Sequence, residues 1–316
     1  MIIEPMQDTT QILSGVAQLA HLGIIRVAGA DAAKFVHSQL TQDFALLDSH
    51  QARLAAFCSA KGRVQASFIG FKNTQTEILL ICSQDVLQAT LKRLSMFVMR
   101  AKATLSDASA DFNLFGVAGE AVRDRETLHG SAPAAWQILR DGNTTLVSLY
   151  PAGTVARELW VVPVGESAPA GAALPAAVWA WSEVASGVAT VSQAVVDAFV
   201  PQMLNYESVG GVSFKKGCYP GQEVVARSQF RGTLKRRAYL VRAQVAMQAG
   251  QEVFAAGEAS QPVGLVVQSA PAPHGGFEAI AALQVAAANG GALRLQSESG
   301  EPLDLLPLPY QLLEDI

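Results

Sequence analysis

One short stretch of the chain combines several residue types that can do chemistry. Residues 214–227 read FKKGCYPGQEVVAR and hold a thiol, three cations, a carboxylate and two glycines, in a chain otherwise rich in alanine, valine and leucine. Nearby cations stabilise the thiolate, which is the reactive form of cysteine, and glycine lets the backbone approach a ligand closely. We therefore predict that Cys218 is a reactive or redox-sensitive thiol, with Lys216 as the cation beside it.

The polar residues after the cysteine allow two interpretations. Gln222 and Glu223 either hold the loop through an ion pair or form a hydrogen-bonding pair for a polar heterocycle, and the sequence favours neither. Glu223 is the only acidic residue between positions 215 and 242, although the whole chain has a net charge of −4. A solvated face is the usual explanation of such a basic run. The alternative is an anionic ligand tail or a short contact to RNA phosphate. The cations concerned are Arg227, Arg231, Lys235, Arg236, Arg237 and Arg242.

The other cysteines and the histidines do not predict a metal site. Cys58 and Cys82 lie in strand-like segments, where cysteine usually acts as a small buried hydrophobe. Neither C-x-x-C nor H-x-x-H occurs in the chain, so we expect no intrinsic metal or iron–sulfur cluster. No His–Asp pair lies close to Cys218 in the sequence, so a papain-like nucleophile is not supported at this level.

Length and composition bound the class of protein. The chain has 316 residues, of which 50% are hydrophobic and 16% charged, which suits two or three folded domains. It has no apolar run of transmembrane length, and residues 1–10 lack the pattern of a secretory signal. We therefore predict a cytoplasmic protein with no membrane partner.

The local patterns predict a mixed α+β body followed by a β-barrel. Strands are expected at 22–28 and 77–83, and a helix is expected to start at Asp31, which is placed to cap it. Residues 60–62 are expected to form a hairpin turn. Trp179 and Trp181 lie in a further predicted helix. From residue 235 onward, short strands alternate with turn signals, which indicates a separate small barrel.

The motif residues carry a family resemblance that covers essentially the whole chain. The pattern K-G-C-[FY]-x-G-Q-E is typical of the YgfZ family, and the segments 23–43, 55–64 and 306–312 resemble the same family. The pattern is met by Lys216, Gly217, Cys218, Tyr219, Gly221, Gln222 and Glu223, and Arg227 closes the loop sequence.

The resemblance implies a three-domain ring like that of the glycine-cleavage T-protein, a tetrahydrofolate-dependent aminomethyltransferase. We expect a discontinuous folate-binding domain at 1–48 plus 108–232, an inserted α+β domain at 49–107, and a C-terminal barrel at 235–316. The implied cofactor is tetrahydrofolate or a derivative. The implied partners are folate, iron–sulfur client proteins and, transiently, RNA.

Departures from the T-protein pattern bear on the activity. Ala66 and Ser67 stand where the T-protein carries paired aspartates, and Ala185 stands where a glutamate grips the pterin. Glycine-cleavage activity is therefore not expected. The resemblance favours an accessory protein that supports assembly or repair of iron–sulfur enzymes, including tRNA-modifying ones. The alternatives are a folate-dependent one-carbon transferase, or a tRNA- or protein-binding module without a small ligand.

Two further positions concern the folate site that the resemblance implies. Trp179 matches a tryptophan of that site, where it either stacks on a flat ring or simply fills the core. Leu22 stands where some relatives carry a second tryptophan, so it is expected to supply apolar contact without stacking.

Overall fold

The computed structural model describes residues 12–122, 134–230, 234–257 and 261–313. The chain folds into two antiparallel sheets and a closed barrel, joined by short helices, so the predicted α+β class is confirmed. In the described ranges, no helix has both the length and the apolar character needed to cross a membrane.

The first sheet has the strand order β1-β7-β10-β9-β8. Two of its three interior strands, β9 and β10, are buried along almost their whole length, as expected for strands covered on both faces. Helix α3 (Ala176–Ala185) contacts β1 of this sheet, and a Cβ added to Gly116 in β7 would lie 2.5 Å from the indole of Trp179. The strands are Gly15–Gln18 (β1), Phe112–Ala118 (β7), Ile138–Asp141 (β8), Thr144–Ser148 (β9) and Arg157–Pro163 (β10).

The second sheet has the order β3-β4-β5-β2-β6 and is covered by helices α1 (Ala32–Gln39) and α2 (Gln84–Ser95). The strands predicted at 22–28 and 77–83 are confirmed, and β3 and β4 form a hairpin about the predicted turn. Apolar residues that point from the sheet and both helices form one core. The strands are Leu22–Ala28 (β2), Ala52–Cys58 (β3), Val64–Thr74 (β4), Glu77–Ser83 (β5) and Thr104–Asp107 (β6).

The first 48 residues contribute strands to both sheets, β1 to the first and β2 to the second. Strand β2 pairs with β5 along its full length, from Leu22 opposite Ser83 to Ala28 opposite Glu77. Strand β2 therefore belongs to the second sheet. The periodicity of a strand shows which face is buried, but it does not show which distant strand will be its hydrogen-bonding partner.

The C-terminal barrel closes in the order β11-β14-β13-β12-β15-β16 and carries helix α5 (Val285–Gly290). This confirms the barrel predicted from residue 235. The side-chain amide of Asn205 anchors it to the body of the protein, because its Nδ2 donates to the Ala238 carbonyl at 2.8 Å while its Oδ1 accepts from the Ala238 N–H at 3.2 Å. The strands are Arg236–Ala243 (β11), Glu252–Ala255 (β12), Gly264–Pro271 (β13), Phe277–Gln284 (β14), Leu293–Leu295 (β15) and Pro302–Leu306 (β16).

The predicted cap of α1 has another role. Asp31 precedes the first residue of the helix, but its carboxylate makes no hydrogen bond to the helix N-terminus. It accepts instead from the backbone N–H of Lys102 at 2.8 Å. The prediction of a side-chain cap was therefore wrong, because a partner far away in sequence takes the carboxylate.

Candidate functional site

A cavity of about 620 Å³, counting the part open to solvent, lies between the two sheets and α3. Its wall is largely apolar and aromatic, and both Trp179 and Leu22 contribute to it. The fold therefore brings together the two residues that the family resemblance associates with folate. The polar members of the wall are Ser67, Arg157, Glu183, Ser186 and Thr190.

Trp179 belongs to the core as well as to the cavity wall. The residue is only 1% exposed, and its ring packs directly against Gly116. The guanidinium carbon of Arg157 lies 5.2 Å from the indole centroid, which is within the range of a cation–π interaction. The two interpretations of Trp179 are thus compatible, but little of its surface remains for a ligand.

Two other aromatic residues of the wall are more accessible than Trp179. Trp136 and Tyr150 are half-buried, and their ring centroids lie 5.8 Å apart at an interplanar angle of 54°. The Trp136 Nε1–H donates to the Val209 carbonyl at 2.9 Å, which holds the indole in place. These rings offer the flat surfaces that a heterocycle would use, and the sequence did not single them out.

Glu183 supplies a carboxylate to this otherwise apolar cavity. Its Oε1 accepts from the Trp179 Nε1–H at 3.1 Å and lies 3.2 Å from His21 Nε2. Burial alone would lower the pKa of His21, but the hydrogen bond and the charge of Glu183 together outweigh burial and raise that pKa. The carboxylate is therefore held through Oε1 on one side, and its Oε2 makes no hydrogen bond to any described residue.

A buried arginine lies beside this carboxylate. Arg157 donates to the Tyr150 carbonyl from Nε at 3.1 Å and from Nη2 at 3.0 Å, and to the Ser182 hydroxyl at 3.1 Å. Burial lowers the pKa of Arg157 to about 10, against the opposing effect of Glu183. The guanidinium is therefore still a cation at neutral pH, and it balances the charge of Glu183 in the wall.

The carboxylate of the cavity wall belongs to Glu183, whereas the resemblance places the pterin-binding glutamate at the position of Ala185. Ala185 packs against the main core, whereas Glu183, two residues earlier, lines the cavity. Ser67, at a position where the T-protein has an aspartate, also lines the cavity and accepts the Val191 N–H at 2.9 Å. The sequence held one signal for Glu183, since it follows Trp179 by four residues and so lies on the same helix face.

The Cys218 loop lies outside this cavity, since none of its residues belongs to the wall. Cys218 itself is exposed, whereas Cys58 and Cys82 are buried as predicted. Burial raises the pKa of each of those two thiols to about 12. The exposed thiol and the apolar cavity are therefore two separate places in the fold.

Lys216 is buried beneath the loop. It is 7% exposed, and its Nζ donates to the Leu40 carbonyl at 3.0 Å and to the Gly217 carbonyl at 3.2 Å. The ammonium also lies 4.5 Å from the ring centroid of Tyr219. Burial lowers the pKa of Lys216 to about 8, although the charges of Asp43 and Cys218 act in the opposite direction. Lys216 therefore anchors the loop to the segment that follows α1.

The residues after the loop form helix α4 (Gln222–Phe230), where Glu223 and Arg227 make an exposed ion pair. Their Oε1 and Nη2 atoms lie 3.1 Å apart, and the two side chains are 85% and 67% exposed. Of the two interpretations of Glu223, the ion pair is the one observed. A salt bridge this exposed contributes little to stability, and neither Gln222 nor Glu223 reaches the cavity wall.

The basic run does not form one cationic surface. Arg237 is buried against Glu207, and Arg242 pairs with Glu278 inside the barrel region. Arg231 lies outside the described residues. The described cations of the stretch 215–242 that are exposed are Lys215, Arg227 and Lys235.

Gly221 sets the conformation of the loop. Its φ of +80° is in the left-handed region, and a Cβ there would lie 2.4 Å from the Ser59 carbonyl oxygen and 2.7 Å from Gly62. The loop thus packs backbone to backbone against the hairpin turn at 60–62. Only glycine satisfies both the dihedral angle and the close approach.

We expect Gly221→Ala to lower the free energy of unfolding by more than about 2 kcal/mol, because backbone strain and a steric clash add together. Urea denaturation measures this loss. The matched control is Gly153→Ala, since Gly153 has a φ of +59° with nothing within 4 Å of an added Cβ. At Gly153, backbone strain alone should lower the free energy of unfolding by about 1 kcal/mol. Equal losses in the two variants would contradict the close approach.

Comparison with known proteins agrees with this architecture. No protein-family model matches the chain. It is 30% identical over 302 residues to a "tRNA-modifying protein YgfZ" of Cronobacter sakazakii, covering 91% of this chain and 90% of the relative. A protein of the same name from Serratia proteamaculans is 29% identical over 308 residues, covering 92% and 91%.

The fold is also that of a known transferase. The chain superposes on the glycine cleavage system aminomethyltransferase T of Bartonella henselae with a TM-score of 0.71 and 14% identity, covering 97% of this chain and 89% of the other. This confirms the expected T-protein-like fold. The identity of 30% to a relative over 91% of this chain establishes that the chain belongs to the YgfZ family.

Proposed function

We propose that the protein binds tetrahydrofolate or a derivative in the cavity beside α3. With folate bound, the protein would support the assembly or repair of iron–sulfur enzymes, including those that modify tRNA, and Cys218 would be its reactive thiol. The observation that carries the folate proposal is the Glu183 carboxylate, held in an aromatic-lined cavity with one oxygen free of hydrogen bonds to the described residues.

The residues of the cavity suit the chemistry of a reduced pterin. The aminopyrimidinone half of such a pterin is flat and carries adjacent N–H donors, from which a carboxylate oxygen accepts well. Glu183 would accept hydrogen bonds from these donors, and Tyr150, Trp136 and Leu22 would give the ring aromatic and apolar contacts. When bound, tetrahydrofolate would supply nitrogen atoms that can carry a one-carbon unit.

An accessory role is favoured over a one-carbon transferase. A transferase needs a general acid or base near the folate nitrogen, and the expected aspartate positions hold Ala66 and Ser67. The Ser67 hydroxyl, engaged with the Val191 N–H, has no tendency to ionise near neutral pH. The tRNA side of the proposal is supported by the names of the relatives and by the exposed cations near Cys218.

Titration with tetrahydrofolate, followed by tryptophan fluorescence and by calorimetry, tests the proposal. We expect saturable binding to the wild-type protein and a loss of about 10- to 100-fold in affinity for Glu183→Gln. Removing a hydrogen bond to a charged group typically costs about 1.5–3 kcal/mol.

The matched control is Glu223→Gln, which neutralises an exposed glutamate outside the cavity and should leave the affinity unchanged. If the wild-type protein does not bind tetrahydrofolate, the folate proposal fails, and a tRNA- or protein-binding module becomes the better interpretation. If Glu183→Gln binds as tightly as the wild type, the pterin is not held by this carboxylate.

A further inference from the structure

A second group of side chains suited to proton transfer lies beside the Cys218 loop. His37 belongs to α1, and Asp43 lies in the segment that follows this helix; His37 Nδ1 and Asp43 Oδ1 are 3.0 Å apart. The same Oδ1 accepts the Leu46 N–H at 2.9 Å, which fixes the carboxylate. The two side chains are only 19% and 20% exposed. In the sequence this pair is far from Cys218, so only the fold brings them together.

The other nitrogen of His37 faces the loop. A Cβ added to Gly217 would meet His37 Nε2 at 3.6 Å, so the imidazole stands against the residue that precedes Cys218. Nε2 makes no hydrogen bond to any residue that the structure describes. Lys216 links the Cys218 loop to the segment that contains His37 and Asp43. Its Nζ donates to the carbonyl of Leu40, which lies between those two residues in the sequence.

The charges around His37 suit a proton acceptor. Burial raises the pKa of Asp43, but the Leu46 N–H and the charge of His37 outweigh burial and hold it below its usual value. Asp43 is therefore a carboxylate. The Ala45 N–H also points at His37 Nδ1, at 3.3 Å. In the neutral tautomer whose Nδ1–H donates to the Asp43 carboxylate, Nε2 presents a lone pair toward the loop. The charged and titratable groups recorded around this corner are Asp43, Lys216 and Cys218.

We infer that His37, oriented by Asp43, is the proton acceptor for the thiol of Cys218. In this step the S–H bond breaks and its electron pair stays on sulfur. The proton forms a new N–H bond at His37 Nε2, either directly or through one water. The neutral thiol and imidazole become a thiolate and an imidazolium, and the Lys216 ammonium lies near the new anion. No oxidant or reductant takes part, because the step is a proton transfer alone.

This inference rests on the proposed role of Cys218 and is independent of folate binding. It also changes the conclusion from sequence, where no His–Asp pair was near the cysteine. An imidazole beside a thiol is a recurring means of activating a nucleophile. Here Asp43 is a positioning residue, because it acts on the thiol only through His37.

The pH dependence of alkylation tests the inference in the full-length protein. Iodoacetamide labelling of each cysteine would be followed by mass spectrometry between about pH 5 and 9, a range that spans the usual histidine and cysteine titrations. We expect His37→Gln to slow Cys218 labelling at pH 7 by about tenfold, because the thiolate fraction falls without its proton acceptor. Asp43→Asn should slow it in the same direction but less, and the exposed His50→Gln should leave it unchanged.

Labelling of Cys58 and Cys82 reports whether each variant is folded, since both are buried. A folded His37→Gln variant with the wild-type labelling profile would overturn the inference. Nitrogen NMR of the His37 imidazole in the wild-type protein, recorded across the same pH range, provides a second test. Alkylation of Cys218 removes the proton that His37 would accept, so the pH dependence of the His37 nitrogen signals should change, and identical profiles before and after alkylation would also overturn the inference.

The same variant separates this inference from the proposed cofactor. His37 is not part of the cavity wall, so His37→Gln should bind tetrahydrofolate with wild-type affinity. Failure of the proton transfer would therefore leave the folate proposal standing, and failure of folate binding would leave the labelling results as they are.

Discussion

Cys218→Ser is expected to abolish the support of iron–sulfur enzymes while leaving the folded protein and its folate affinity intact. The side chain is exposed and lies outside the cavity wall, so its replacement by a hydroxyl of similar shape removes no core packing. A serine hydroxyl does not form an anion near neutral pH, whereas a cysteine thiol does. The variant therefore separates the chemistry of the loop from the fold.

The measurement uses a host strain that lacks its own family member. The fraction of tRNA carrying a modification installed by an iron–sulfur enzyme would be compared with and without oxidative stress. We expect Cys218→Ser to fall to the level of the empty vector under stress. The control is Cys58→Ala, which removes a thiol that burial keeps protonated, with its pKa raised to about 12.

Thermal unfolding and tetrahydrofolate titration of the same Cys218→Ser protein should match those of the wild type. If the variant supports the iron–sulfur enzymes as well as the wild type does, the thiol is not the working group. The K-G-C-Y-x-G-Q-E motif would then be a structural element that holds Lys216 and the hairpin turn in place.

The largest loss of stability is expected from removing Arg237. Its Nη1 lies 2.7 Å from Glu207 Oε1, and the two side chains are 8% and 0% exposed. Its Nη2 also donates to the Leu313 carbonyl at 3.0 Å, so one guanidinium joins strand β11, the body of the protein and the C-terminal segment. Burial raises the pKa of Glu207, and the charge of Arg237 opposes this effect.

We expect Arg237→Ala to lower the free energy of unfolding by about 3–5 kcal/mol, because it leaves Glu207 buried without a counter-charge. Urea denaturation gives the value, and Arg227→Ala is the control. That arginine belongs to an exposed ion pair, so its loss should cost less than about 1 kcal/mol. The double variant Arg237→Ala with Glu207→Gln should recover part of the loss. Similar losses for Arg237→Ala and Arg227→Ala would contradict the importance of burial.

The local elements were predictable because their signals are local. Leu22–Ala28 and Glu77–Ser83 form strands with the predicted limits, since continuous apolar runs bounded by turn residues favour buried strands. The pairing of these two strands was not predictable. Hydrogen bonding between strands far apart in sequence leaves no trace in the periodicity of either one, so only the tertiary structure shows this pairing.

The candidate site shows the same division. The residue types around Cys218 indicated an exposed, unusual cysteine among buried ones, and the structure agrees. The sequence did not indicate that Glu183 supplies the cavity's carboxylate in place of Ala185. For that, α3 had to be positioned against the first sheet, where its packing on Gly116 decides which side chains face the cavity.

By itself, the sequence determined the family, the α+β class, the barrel and the chemical character of the Cys218 loop, because these depend on short patterns and residue types. Only the tertiary structure decided that the loop and the cavity are separate. It also decided that Lys216 is buried and that His37 and Asp43 stand beside Gly217. These are relations between segments up to about 180 residues apart, and they arise from packing, which fixes distance and direction independently of the order of the residues in the chain.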